Sequence, residues 1–249
     1  MQPLLATRVD GVLRVTLNRP ERANALNDAM VDSFLKVFEQ ESLVAGIRAL
    51  VVTGAGPSFC GGFDLSNITA LSEGDIVLRF LRIESLLQQL YHAPYITIAC
   101  AQGNAVGAGA DIFAACNYRI AAPGARFRMP GWRFGIALGT RRLSDRIGAQ
   151  LAREMLATIR TLTADAALEL SLVTHVVESE SWPSFVDKIA RDSDTITNDA
   201  LAVLHDSIVP DHREADMAGL VASALRPAGL KNRLLAYIQQ NARASKVPT

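Results

Sequence analysis

Apolar and polar residues alternate from Val12 to Asn18, with Val12, Leu13, Val15 and Leu17 set against Arg14, Thr16 and Asn18, and the run stops at Pro20. A period near two predicts a half-buried strand with a turn behind it. From Asp28 the period lengthens: Met30, Val31, Phe34, Leu35, Val37 and Phe38 fall on one helical face. Ile47 to Gly54 is almost wholly apolar, as expected of a strand covered on both faces. Ile76, Phe80, Ile83, Leu87 and Leu90 restore helical spacing and end before Pro94, after which "YITIACAQG" predicts a second buried strand.

Further along, the pattern predicts a helix over 111–115, a strand over 117–122, helices over 141–157 and 163–174, a strand over 174–179 and a helix over 182–194. From Asp199 onward the composition is helical. Strands alternating with helices, then helices alone, argue for an α/β core over residues 1–190 and a helical region over 191–249. No charged residue occurs between Ala93 and Ala110, but Pro94, Gln102, Asn104 and three glycines interrupt the stretch and Asp111 closes it. A buried strand running into a helix fits that better than a membrane span.

Composition narrows the function classes. With 25 basic and 25 acidic residues the 249-residue chain has no net charge, so nothing points to nucleic acid or an anionic membrane. The odd number of cysteines (Cys60, Cys100, Cys116), without zinc spacing, fits a reduced, cytoplasmic protein. The start of the chain lacks the basic and apolar regions of a secretory signal. His92, His175, His205 and His212 are scattered without metal spacing, and no metal is expected.

Two glycine-rich segments carry the candidate chemistry. In "TGAGPSFCGGFDL" the dinucleotide fingerprint G-x-G-x-x-G fails, because Phe59 takes the sixth position. Gly61 and Gly62 instead let a ligand carbonyl approach the main chain. In "AQGNAVGAGADIFAAC", Gly103, Gly107 and Gly109 stand between a strand and a helix, where free N–H groups can face a ligand. Two such turns, each giving one N–H, would make an oxyanion hole, each donor typically contributing about 3 kcal/mol.

With "TLNRPERANALN" and "RIGAQLAREMLAT…LTADAALELSLVTHVV", these segments resemble the enoyl-CoA hydratase/isomerase (crotonase) superfamily in order and spacing, from about Gly11 to Val177. The resemblance implies a ClpP-like spiral of ββα repeats with a helical C-terminal region that assembles a homotrimer or hexamer. It implies an acyl-CoA thioester as substrate in fatty acid metabolism, and no cofactor beyond the coenzyme A the substrate carries. It implies that the Phe63 and Ala108 N–H groups form the oxyanion hole, with Gly61, Gly62 and Gly107 clearing space. Coenzyme A would lie against Arg22, Ala23, Ala25 and Leu26 and against Asp64 and Leu65, although Arg22 also reads as a solvated charge.

Asp111 matches the first catalytic carboxylate of hydratases, and the residues alone leave it open between acid/base and a helix cap. The second carboxylate is missing: the family's Pro-Glu is Pro130-Gly131 here. Single-carboxylate isomerisation is therefore expected over efficient hydration. Trp132 and Arg133 follow directly, with Arg128 and Thr140 nearby. Trp132 either donates an N–H to the substrate or fills the space of the missing glutamate. Other thioester reactions (hydrolysis, decarboxylation, dehalogenation) and a weakly catalytic CoA binder remain alternatives. Asp145 reads as a surface charge and Cys60 as a small buried residue rather than a nucleophile.

Overall fold

The computed structural model describes residues 2–41 and 46–244. The remaining parts of the two expected regions, among them 245–249, lie outside the described residues. The strands are β1 (Leu4–Val9), β2 (Val12–Leu17), β3 (Ala49–Gly54), β4 (Ile96–Ala101), β5 (Asn104–Val106), β6 (Tyr118–Ala121), β7 (Arg126–Arg128), β8 (Leu162–Thr163) and β9 (His175–Val176). The helices are α1 (Asp28–Glu41), α2 (Glu73–Tyr91), α3 (Ala108–Ala115), α4 (Thr140–Ile147), α5 (Ala149–Thr158), α6 (Ala164–Glu169), α7 (Trp182–Asp192), α8 (Asn198–Ile208), α9 (Arg213–Ala224) and α10 (Leu230–Ala244).

Six strands form one sheet in the order β1-β2-β3-β4-β6-β9, parallel except for the β1–β2 hairpin. A second sheet, β5-β7-β8, sits beside it. The all-apolar run in β3 is buried on both faces, as its composition requires. Phe34, Phe80, Phe113 and Phe127 are among the largest fully buried side chains. A separate apolar cluster joins α2, the Phe134–Ile136 loop, α9 and α10 through Phe80, Phe134, Ile136, Leu220, Leu234 and Tyr237.

Several elements differ from the pattern reading. β1 lies at the sheet edge with four of its six residues exposed, so its sequence carries little alternation. The helix expected over 141–157 is two, because Gly148 at φ +83° ends α4 and starts α5. The helix expected over 163–174 stops at Glu169, and the strand expected over 174–179 is only the two-residue β9. α3 starts three residues earlier than its apolar spacing suggests.

Candidate active site

The first glycine turn is held by side-chain amides. Asn24, fully buried, donates from Nδ2 to the carbonyls of Ala55, Ser58 and Phe59, and its Oδ1 accepts from the Arg19 N–H. Gln102 donates to the carbonyls of Gly54, Gly56 and Ser58. So fixed, the turn pairs with the 23–26 segment: Gly61 N–H donates to Ala23 O at 2.7 Å, Leu26 N–H to Gly62 O at 2.7 Å and Asp64 N–H to Leu26 O at 3.1 Å. Because Leu26 bonds to residues 62 and 64 in a parallel bridge, the Phe63 N–H points the other way.

The other edge of the turn meets β5, with Cys60 N–H donating to Asn104 O and Val106 N–H to Cys60 O. Contact there is close enough to exclude side chains. A Cβ on Gly62, whose φ is +87°, would lie 2.4 Å from Val106 O and 3.3 Å from the Ala108 nitrogen. One on Gly109 would lie 2.3 Å from Cys60 O. Gly107 is the N-cap of α3, so Ala108 is the first helical residue and its N–H has no intrahelical acceptor. Neither the Phe63 nor the Ala108 N–H donates to another group among the described residues. The two predicted turns are therefore brought together.

Both amides line one cavity of about 90 Å³ with Gly61, Gly62, Leu65, Gly107 and Asp111. Its far wall is apolar: Phe80, Phe134, Ile136, Leu138 and, from the C-terminal helix, Tyr237. Asp111 is the one carboxylate among its described lining residues. Its side chain makes no hydrogen bond to another described residue, and it is only 5% exposed. Burial pushes its carboxyl well above the usual range; the Arg142 guanidinium opposes this and Glu84 adds to it. Asp111 is not a cap, since Gly107 holds that position and the Asp111 N–H donates to Gly107 O at 3.0 Å.

Gly131 and Trp132 reach the cavity on a 3₁₀ turn, Pro130–Arg133. Trp132 is 39% exposed and lines the cavity at its edge. Arg133 is exposed and outside the cavity lining. Arg22 and Ala23 are exposed, Ala25 is half-buried and Leu26 buried; none lines the cavity, but the backbone of 22–23 flanks Gly61. Asp64 is buried and does not line the cavity either. Burial raises its carboxyl, but Ser66 and Arg19 hold it below the usual range, with Arg19 Nη1 at 2.8 Å. It pins the 19–26 loop to the turn instead. Cys60 is buried with its thiol pushed up to about 12, no nucleophile at neutral pH. Asp145 is exposed, as expected of a surface charge, and its carboxylate accepts from Tyr91 Oη at 3.0 Å, a tertiary bond that helical spacing could not reveal.

Sequence reasoning missed Glu84, Arg142 and Gly139. Glu84 had a signal: it falls on the apolar stripe of α2, four residues after Phe80 and one after Ile83. Gly139, at φ +63°, starts α4, and a Cβ there would lie 2.0 Å from Asp111 Oδ1.

The Enoyl-CoA hydratase/isomerase family model matches residues 7–224, and the chain belongs to that family. It is 32% identical to Probable enoyl-CoA hydratase echA6 of Mycobacterium leprae over 193 residues, covering 74% of this chain and 76% of the relative. The Mycobacterium bovis protein of that name is 30% identical over 218 residues, 84% of this chain and 86% of its own. A crystal structure from Bordetella parapertussis, named for the same hydratase/isomerase class, superposes with a TM-score of 0.92 at 38% identity, covering 96% of this chain and 99% of that one. The α/β architecture is thus the crotonase fold.

Proposed function

We propose that the protein moves a proton on an acyl-CoA thioester, in the manner of an enoyl-CoA isomerase, through an enolate held by the Phe63 and Ala108 N–H groups. The observation that carries this is the single unpartnered carboxylate, Asp111, in an otherwise apolar cavity beside two free main-chain donors. The thioester oxygen would accept both N–H groups. Asp111 would take a proton from the carbon next to the carbonyl, and the released electron pair would move onto that oxygen. As the carbonyl re-forms, the double bond shifts and Asp111 returns the proton two carbons further on.

Burial supports this role, because a carboxyl raised toward neutrality can both take and return a proton. Gly131 supports isomerisation over hydration, since the cavity's described lining residues include no second carboxylate to hold and activate water. Trp132, whose indole N–H bonds to no described residue at the cavity edge, favours a second reading, a related thioester-enolate reaction with a polar group on the acyl chain. Exposed Val203, Ile208 and Leu225 on and after the late helices support self-association, which sedimentation would test.

The test is turnover of 2-enoyl-, 3-enoyl- and dienoyl-CoA by the wild type and by Asp111→Asn, with acetyl-CoA binding measured by calorimetry. Isomerisation of the 3-enoyl or dienoyl thioester, lost in the variant while binding persists, is expected. Equal turnover by both proteins overturns the assignment of Asp111, and tight binding without turnover favours a binding protein.

A further inference from the structure

Behind Asp111, α2 and α4 bury a second charged group. Arg142 Nη2 donates to Glu84 Oε2 at 2.5 Å, with the two side chains only 3% and 1% exposed. The other Glu84 oxygen accepts from Gln88 Nε2 at 3.0 Å. Arg142 Nη1 lies 3.6 Å from Asp216 on α9, while Arg142 Nε, also buried, has no hydrogen-bond partner among the described residues. Gly139 is the seam between this group and the catalytic cavity. It packs directly on the Asp111 carboxylate, and it also lines a cleft with Glu84, Thr140, Arg142 and Asp216.

A buried ion pair seldom adds net stability over well-packed apolar residues. Its position behind an unpartnered carboxylate suggests another use. The groups facing Asp111 are few. Arg142 comes from α4 and Glu84 from α2, with Asp216 of α9 acting through Arg142. Cys60 from the glycine turn is a buried thiol pushed up to about 12, hence neutral. Tyr237 of α10 stands on the far wall of the cavity.

A lone arginine beside Asp111 would hold it as a tightly bound anion and a weak base. No cation at all would leave it protonated in its apolar surroundings. We propose that Glu84 and Arg142, with Asp216 as the outer member, are positioning residues for proton transfer: they offer Asp111 a cation whose charge is cancelled from its far side. The proposal rests on the reading of Asp111 as the base, but its test does not need turnover.

Aspartate side chains labelled with ¹³C are titrated by NMR, and the Asp111 signal is assigned by its loss in Asp111→Asn. With Glu84→Gln, Arg142 is freed toward Asp111, and the Asp111 midpoint is expected to fall by about one pH unit. Asp216→Asn should lower it by less, and Asp187→Asn, in an exposed pair with Arg14, should leave it in place. A midpoint that stays put or rises in Glu84→Gln overturns the proposal. Should that variant fail to fold, Asp216→Asn decides, a fall supporting the proposal and no movement ending it. Full turnover by Asp111→Asn would sink the base assignment, whereas an unmoved midpoint beside an inactive Asp111→Asn sinks only the charge compensation.

Discussion

Asp111 combines burial with the absence of any hydrogen-bond partner among the described residues, so its charged form is disfavoured in the folded state. The folded protein then binds this proton more tightly than the unfolded chain does. The sign follows: Asp111 costs nothing below the ordinary aspartate range, and stability falls as pH rises from there through the raised folded midpoint. Asp111→Asn should therefore lower turnover by about 10²–10⁴-fold while raising the melting temperature at neutral pH. That gain should shrink toward zero as the solution is acidified to about pH 4. Calorimetric scans at several pH values check it, and a gain that grows on acidification would contradict the argument. Gly139 is the complementary case. Its left-handed φ and its contact with the carboxylate leave no room for a methyl group, so Gly139→Ala should cost about 1–3 kcal/mol from the dihedral alone. It should also displace Asp111, lowering kcat as well as the denaturation midpoint.

At the scale of elements, what could be read from the sequence depended on burial and chain separation. The buried strands β3 and β4 and the helices α1 and α2 were legible because each carries its own apolar period. The two glycine turns were legible because close backbone contact removes side chains whatever the partner, as at Gly62 and Gly109. The Glu84–Arg142 pair and Tyr237 were not, since each gains its role from a helix far away in sequence. The 3₁₀ turn Pro130–Arg133 makes a further prediction. Gly131 needs no left-handed backbone, and a Cβ there would first meet Ile136 Cγ2 at an ordinary 3.4 Å. The turn therefore tolerates a side chain, so space alone does not exclude a carboxylate at position 131. Gly131→Glu should fold at a cost under about 1 kcal/mol and gain hydration of 2-enoyl-CoA relative to isomerisation. Following both products chromatographically checks it, and a folded variant with no gain would show that more than this carboxylate separates the two activities.

Across the whole molecule, α10 completes a cavity begun some 170 residues earlier, since Tyr237 lines it together with Phe63 and Ala108. Beside the apolar packing of Leu230, Leu234 and Tyr237, its attachment uses charged side chains on backbone groups. Glu73, at the start of α2, accepts from the Leu230 and Lys231 N–H groups, and Lys231 Nζ donates to Thr69 O at 3.0 Å. Arg233 does most to couple α10 to the site. It donates to Phe134 O at 2.7 Å and Gly135 O at 3.1 Å in the cavity loop, and to Ser223 O and Ala224 O at the end of α9, both at 2.8 Å. Removing it would leave those carbonyls without their cationic donor and release the loop that carries Phe134 and Ile136. Hydrogen bonds to a charged group contribute about 1.5–3 kcal/mol net, and each kcal/mol moves the melting temperature of a chain this size by about 2–4 °C. Arg233→Met should thus melt several degrees lower. Because the loop lines the apolar wall of the cavity and supplies no titratable group to it, KM should rise several-fold while kcat changes little. If kcat instead falls as in Asp111→Asn, α10 acts on the chemistry and not only on the shape of the cavity.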